Sequence, residues 1–285
     1  MNETSYAELK KFKDQYNVDY SIGDLTPTIC EINNIPFPEQ CGGTPIAVVV
    51  DHAQRLFDGE GKNEKTFIYC PDAVGEIHRQ HYPELLARVE KVAGIRLLSS
   101  GVMPSVTPVC FGTIFSGASP EVHGITRYAK PVLEVETLFD VAPKAGKKVA
   151  IVAGGPKCSL ANIFLEREAV DYYIMANVEE VNAKAAELII EDKHDFILAY
   201  NGNYDSTMHK NGPEAAIALG ELRANARTFG AFAELIKTRW KNHNTLLGFA
   251  MDHGCHEIDG NCGSHGLDMP EDLNIKHFYQ IYPKA

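Results

Sequence analysis

Residues 195–209, DFILAYNGNYDSTMH, give the clearest indication of the fold class, because an unbroken apolar run passes directly into a polar segment that carries Asp205 and His209. Apolar runs without polar alternation are typical of strands buried on both faces, and such strands belong to parallel sheets covered by helices. Asp205 and His209 are spaced i, i+4, so one helical turn would point both side chains the same way. A solvated loop before NGP is the alternative interpretation of this segment.

Similar apolar runs recur along the chain and alternate with amphipathic stretches. The predicted strands are PIAVVV (45–50), TFIYC (66–70), KVAIVA (148–153), YYIM (172–175), DFILAY (195–200) and TLLGFAM (245–251). The predicted helices cover residues 76–93, 133–146, 178–193 and 213–240. Strands separated by helices predict an α/β fold with a mostly parallel sheet sandwiched between helices in a single domain.

The first 44 residues differ in character from the rest. They are polar and irregular and contain several prolines and glycines, so we expect an N-terminal arm or packing segment over residues 1–44. We expect residues 45–285 to form the main α/β domain. This length is sufficient for one large hydrophobic core.

The composition restricts the class of partner. A balance of 27 basic against 38 acidic residues gives a net charge of −11, which disfavours binding to nucleic-acid polymers. A small anionic substrate is compatible with this charge if bound divalent cations invert its sign locally. Seven cysteines, no apolar leader at the start and no apolar run long enough for a bilayer predict a cytoplasmic protein without membrane contact. Homo-oligomerisation stays open.

Acidic and imidazole side chains follow three of the predicted strands. Asp72 follows TFIYC, Asp205 follows DFILAY, and Asp252 with His253 closes TLLGFAM. Ligands of open α/β sheets bind beyond the carboxyl ends of the strands, so these side chains are expected at one edge of the sheet. Asp51 also follows an apolar run, but we interpret it as a capping or surface residue.

Two further positions complete this set. Gly-rich residues 254–266 allow a tight turn that brings His265 back to the same edge, with His256 as a competing ligand. Cys255 and Cys262 lie nearby without the spacing of a zinc finger. Thr107 precedes a proline, so it is predicted to start a helix, either as a simple cap or beside a bound phosphate.

Taken in order, these motifs resemble those of the alkaline phosphatase superfamily, and most closely its nucleotide pyrophosphatase/phosphodiesterase branch. The resemblance rests on Asp72, on PSVT with Thr107, on SGASPEVHGI, on DSTMHKNGP, on DHG and on GSHG. It runs from about residue 66 to about residue 277. It implies an alkaline phosphatase-like core with a minimal cap.

The resemblance also implies roles for these residues. Asp205, His209 and His265 would hold one divalent metal ion, while Asp72, Asp252, His253 and the Thr107 hydroxyl would hold a second. Oxygen and imidazole ligands suit Zn²⁺, with Mn²⁺ as the alternative. Thr107 would attack the phosphorus and form a phosphothreonine, which water then hydrolyses. The expected function is hydrolysis of small phosphate monoesters or diesters.

One departure from the family pattern concerns the residues after the nucleophile. Diesterases of the branch place an asparagine there, whereas this chain has Cys110 close by, so the choice between monoester and diester stays open. Cys110, Arg127 and Lys130 are candidates for substrate binding, with exposed surface cations as the alternative for the two basic residues. A phosphonate hydrolase and a non-catalytic binding protein on the same fold are the other functions compatible with the sequence.

Overall fold

A computed structural model describes residues 1–58, 61–155, 157–165, 167 and 169–285. Its strands are β1 (Tyr20–Ser21), β2 (Lys65–Pro71), β3 (Ile95–Ser100), β4 (Val149–Gly154), β5 (Val170–Met175), β6 (Phe196–Asn201), β7 (Thr245–Phe249), β8 (His256–Ile258), β9 (Cys262–Ser264) and β10 (Asn274–Tyr282). Its helices are α1 (Glu3–Tyr16), α2 (Leu25–Asn33), α3 (Ala47–Leu56), α4 (Glu76–His81), α5 (Pro83–Val92), α6 (Thr107–Ser116), α7 (Pro120–His123), α8 (Leu138–Lys144), α9 (Ser159–Ile163), α10 (Val178–Glu191), α11 (Asn203–Asn211), α12 (Ala216–Arg239) and α13 (Pro270–Leu273).

One eight-stranded sheet organises the molecule, in the order β1-β3-β10-β7-β2-β6-β4-β5. Neighbouring strands run parallel except at β10, which is antiparallel to both β3 and β7. Helices flank the sheet, and β8 pairs with β9 in a separate small hairpin. The predicted single-domain α/β fold with a mostly parallel sheet is therefore confirmed.

The carboxyl ends of the three central strands lie side by side. Pro71 at the end of β2 pairs with Asn201 at the end of β6, and Tyr69 of β2 pairs with Phe249 of β7. The backbone N–H of Asp72 continues this pairing by donating to the Asn201 carbonyl at 2.9 Å. Segments that leave these three strands therefore start from the same edge of the sheet, as the sequence predicted.

The predicted strand at PIAVVV is wrong, because residues 47–56 form helix α3. Its run of β-branched residues favours a strand by intrinsic propensity. However, Val49, Val50 and Ala53 are buried while Val48 is exposed, which is the spacing of an amphipathic helix packed on one face. Packing against the core decides the conformation here, and propensity does not.

Two long strands of the central sheet, β3 and β10, were not predicted from the sequence, and neither were the short strands β1, β8 and β9. Ile95 and Leu97 of β3 are buried whereas Arg96 and Leu98 are exposed, and β10 also mixes buried with half-buried positions. Both strands therefore lack the continuous apolar run that marked the central strands. Alternation of this kind fits strands that lie toward one side of the sheet and have one accessible face.

The N-terminal segment is more regular than its composition indicated. It folds into α1, β1 and α2, and β1 pairs with β3 at the edge of the central sheet. Leu9, Ile22, Leu25 and Ile29 are buried in the same hydrophobic core as the central strands. Residues 1–44 thus pack against the sheet edge.

The predicted helices were found with shorter bounds. The helix predicted over 76–93 is divided into α4 and α5 at Pro83, which has no backbone N–H to donate. The one predicted over 133–146 is reduced to α8. Among the described residues, no helix combines the length and the apolar character needed to cross a membrane.

Candidate active site

Thr107 is the first residue of α6, and Val106 occupies the capping position before it. Because Val106 and not Thr107 is the N-cap residue, the simple cap that the sequence allowed for Thr107 is not present in the structure. Thr107 Oγ1 instead lies 3.4 Å from Asp72 Oδ2 and 3.3 Å from His253 Nε2. The hydroxyl is therefore directed at acidic and imidazole side chains that come from other strand ends.

Asp72, Asp252 and His253 form what we call the buried cluster. One ligand atom from each lies within 4.8 Å of the others, and all three side chains are at most 1% exposed. His253 Nε2 lies 3.4 Å from Asp72 Oδ1 and 3.3 Å from Asp252 Oδ2. Asp252 is held by the N–H of Ala73, which donates to its Oδ1 at 3.2 Å.

Asp205, His209 and His265 form what we call the open cluster, within the same 4.8 Å limit. Asp205 and His209 lie on α11, so the helical turn that their spacing indicated is present. Asp205 Oδ1 lies 3.2 Å from His209 Nε2 and 3.3 Å from His265 Nε2. Solvent reaches this cluster, since the side chain of His209 is 41% exposed. The two clusters adjoin through the rings of His253 and His265, whose centroids are 4.1 Å apart.

The three imidazoles are held by the same kind of hydrogen bond. Each has its Nδ1 within hydrogen-bonding distance of a backbone carbonyl oxygen: His209 with Gly263 at 2.9 Å, His253 with Gly254 at 2.9 Å and His265 with Ser105 at 3.0 Å. A carbonyl oxygen only accepts, so Nδ1 carries the proton and Nε2 directs a lone pair into its cluster. This is how outer hydrogen bonds prepare histidine for a metal ion.

The carboxylates of the two clusters are also arranged as a cation would require. Asp72 Oδ1, Asp205 Oδ1 and Asp252 Oδ2 are buried and find no hydrogen-bond donor among the described residues. Burying such oxygens opposite imidazole lone pairs is costly unless a cation lies between them. Each cluster offers carboxylate oxygen and imidazole nitrogen atoms close together, and this donor set fits Zn²⁺. The residues present therefore fit a bound divalent cation in each cluster.

The pKa values of the cluster residues in the metal-free site also indicate that a cation belongs there. Burial, with the nearby Asp205 charge, raises the pKa of Asp72 to about 7, and burial also raises the pKa of Asp252 well above its usual range. Burial opposes ionisation of Asp205 too, but the imidazoles of His209 and His265 beside its carboxylate outweigh burial and hold the pKa of Asp205 well below its usual range. Asp205 in turn raises the pKa of His209. Protons thus take the place of a cation when none is bound.

A cavity of about 400 Å³ opens beside Thr107 at the carboxyl ends of β4, β5 and β6. Asp72, Thr107 and Asp205 line one side. The other side is formed by polar and small residues, among them Tyr128, Lys130, Gly155, Cys158, Ser159, Asn177 and Asn203. A cavity of this size suits a small phosphoryl compound, and large polymers do not fit within it.

The three residues predicted to touch substrate lie in different places. Lys130 lines the cavity, where its Nζ donates to the Lys157 carbonyl at 2.6 Å. Arg127 is exposed and does not line it. Cys110 is fully buried inside α6, with no exposed surface. Of these three, the structure brings only Lys130 to the cavity.

The competing ligands also find other partners. His256 Nδ1 lies 2.8 Å from the buried Asp272, and Asp272 in turn accepts the Leu267 N–H at 2.8 Å. His256 therefore belongs to a network that supports the loop of His265. Asp51 lies on the exposed face of α3, away from both clusters. Cys255 is buried with its Sγ 3.5 Å from the Tyr204 hydroxyl and joins neither cluster.

The family of the chain follows from comparison with known proteins. Residues 77–281 match the family model described as type I phosphodiesterase/nucleotide pyrophosphatase. The chain belongs to the type I phosphodiesterase/nucleotide pyrophosphatase family. The matched range contains Thr107 and every residue of the two clusters except Asp72, and the family places the chain in the alkaline phosphatase superfamily.

Solved structures support the fold. Phosphonoacetate hydrolase from Sinorhizobium meliloti, in complex with phosphonoformate, superposes with a TM-score of 0.53 at 17% identity over 70% of this chain and 59% of its own. An inactive threonine-to-alanine variant of murine ectonucleotide pyrophosphatase/phosphodiesterase 5, in complex with AMP, superposes with a TM-score of 0.57 at 16% identity. This match covers 69% of this chain and 59% of the murine chain. The chain thus spans about three fifths of these structures. No curated protein sequence matches it.

Proposed function

We propose that this family member is a two-metal hydrolase of small phosphate esters, with Thr107 as the nucleophile. The supporting observation is the position of Thr107 Oγ1, 3.3 Å from His253 Nε2 and 3.4 Å from Asp72 Oδ2. The proposed metal is Zn²⁺, with Mn²⁺ as the alternative, one ion in each cluster.

Each residue of the site has a separate role in the proposed reaction. Thr107 Oγ gives up its proton and forms a bond to phosphorus while the bond from phosphorus to the ester oxygen breaks, and the leaving alcohol takes up a proton. Water then attacks the phosphothreonine, the bond from phosphorus to Oγ breaks, and Thr107 regains a proton as phosphate, or a phosphate monoester in the case of a diester, is released. Divalent cations, when bound, lower the pKa of the attacking hydroxyl and stabilise negative charge on the phosphoryl oxygens. Asp72 Oδ2 orients the Thr107 hydroxyl, and the wall with Lys130 receives the rest of the substrate.

Two structural neighbours support parts of this proposal. In the murine enzyme a threonine-to-alanine change accompanies an inactive protein, which is compatible with a threonine nucleophile here. The neighbour from Sinorhizobium is a phosphonoacetate hydrolase, so cleavage of a phosphonate by the same residues is the second candidate. An assay that offers both a phosphate ester and a phosphonate distinguishes the two candidates.

The test combines metal analysis with a substrate panel. Purified protein is analysed for bound metals, stripped, reloaded with Zn²⁺ or Mn²⁺, and assayed on nitrophenyl phosphate, bis-nitrophenyl phosphate and phosphonoacetate. We expect two ions per chain and release of nitrophenol or phosphate that depends on them. Protein that binds two ions but hydrolyses nothing would favour a non-catalytic binding role. Protein that binds none would overturn the two-metal proposal.

A further inference from the structure

Tyr200 is a residue to which neither the sequence motifs nor the ligand clusters assign a role. It is the penultimate residue of β6, is only 7% exposed, and lines the cavity next to Thr107. Its hydroxyl donates a hydrogen bond to Asp72 Oδ2. We propose that Tyr200 is a positioning residue that fixes the Asp72 carboxylate for cation binding, an inference that rests on the proposed two-metal function.

The hydrogen bond matters because the two Asp72 oxygens have different surroundings. Oδ2 receives Tyr200 and, at 3.4 Å, Thr107, whereas Oδ1 has no hydrogen-bond donor among the described residues and lies 3.4 Å from His253 Nε2. A carboxylate free to rotate could exchange these oxygens. Tyr200 holds Oδ2 in place, so Oδ1 stays directed into the buried cluster, which is the usual effect of an outer hydrogen bond on a metal ligand.

The Tyr200 ring is itself held from two sides. It packs edge-on against Phe111 of α6, with centroids 5.7 Å apart and planes at 84°. Tyr200 thereby connects Asp72 to the helix that begins with Thr107. On the other side lies Gly202, where an added Cβ would stand 2.8 Å from the Tyr200 hydroxyl oxygen. The missing side chain at residue 202 leaves room for the hydroxyl.

The direct test removes the hydroxyl. Zn²⁺ binding to metal-free Tyr200→Phe is measured by calorimetry, beside wild type and Tyr69→Phe. Tyr69 is an apt control because it is likewise buried on a central strand, and its hydroxyl is hydrogen-bonded to Asn201 and Asn225 rather than to Asp72. The His209→Ala variant identifies which of the two binding steps belongs to the open cluster.

We expect Tyr200→Phe to weaken one Zn²⁺ site by about 10- to 100-fold, which is typical of losing a hydrogen bond to a metal ligand. The weakened site should be the buried cluster, and the open cluster should stay within about twofold of wild type. In steady-state assays kcat should fall at low Zn²⁺ and recover as Zn²⁺ is raised, with KM unchanged. A residue that contacts substrate would instead raise KM, and added metal would not restore it.

A second variant displaces the hydroxyl without removing it. Gly202→Ala should weaken the buried cluster in the wild-type background. In the Tyr200→Phe background the hydroxyl is absent, and the ring atom closest to the added Cβ is Cζ, at 3.2 Å instead of the 2.8 Å of the hydroxyl oxygen. The further loss of Zn²⁺ affinity should therefore be small. Additive losses would contradict a shared mechanism.

The outcomes separate the inference from the function it rests on. Wild-type protein that binds no metal refutes the proposed function. If wild type binds two ions and Tyr200→Phe binds both as Tyr69→Phe does, the positioning role is refuted while the two-metal function stands. A KM effect that metal does not rescue also refutes positioning.

Discussion

The open cluster and the buried cluster have similar chemistry in very different surroundings. Each presents carboxylate and imidazole atoms within 4.8 Å, yet His209 in the open cluster is 41% exposed and His253 in the buried cluster is not exposed at all. Solvent can hydrate and screen charges in the open cluster, but the buried cluster has to be neutralised by what it binds. Equal ligand numbers therefore do not imply equal exchange rates or equal importance for folding.

The proposed nucleophile, Thr107, lies beside the buried cluster, since its hydroxyl contacts Asp72 and His253. Thr107→Ala should lower kcat by roughly 10³-fold or more, because the attacking oxygen is removed. Zn²⁺ stoichiometry at the open cluster should not change. Thr107→Ser keeps a hydroxyl and should retain measurable turnover. An alanine variant as active as wild type would exclude Thr107 as the nucleophile.

Ligand removal should affect stability unequally. His253→Ala leaves a space in the core and should cost about 2–4 kcal/mol of unfolding free energy in the metal-free protein. His209→Ala removes a largely exposed ring and should cost less than about 1 kcal/mol. Urea unfolding of both variants without metal measures this difference. Similar costs would show that burial does not distinguish the clusters.

Metal release should occur in two phases. A chelator reaches the open cluster directly, whereas the buried cluster exchanges only when the chain opens locally. We expect the first ion to leave faster than the second by roughly an order of magnitude or more. Stopped-flow measurement with a coloured chelator follows both phases. A single phase for both ions would show that exposure does not control release.

The smallest effect is expected at the cavity wall away from both clusters. Lys130→Met should raise KM for anionic substrates about two- to fivefold, because a partly screened ion pair contributes up to about 1 kcal/mol. Arg127→Met is the matched control, since Arg127 is exposed and does not line the cavity. Steady-state kinetics compares the two variants. Equal KM values would remove Lys130 from substrate binding.

The central part of the fold could be predicted because its strands are continuous apolar runs. The strands β2, β4, β6 and β7 are buried along nearly their whole length, so composition and burial agree. The alternating strands β3 and β10 and the β-branched helix α3 could not be recognised in this way. Their conformations depend on which face packs against the core, and this is determined by contacts distant in the sequence.

The candidate site likewise has a part that could be predicted from the sequence and a part that could not. The residues of both clusters are close in space, as their positions after strands predicted, because chain order and strand ends are visible in a sequence. Tyr200 and Asp272 were missed, since their partners Asp72 and His256 come from other segments. The wall of the cavity is likewise assembled from loops that follow different strands, so its shape required the structure.

The hydrogen bond from His209 to the Gly263 carbonyl has a further consequence for sequence variation at residue 263. The partner of the imidazole is a main-chain atom, so no substitution deletes it directly, and only the path of the loop can be lost. That path leaves no space for a side chain at Gly263, where a Cβ would stand 2.5 Å from Met208 Sδ and 2.8 Å from its carbonyl oxygen. A residue without a side chain thus helps to determine the proton position on a ligand, and variation at residue 263 would appear first as altered metal binding.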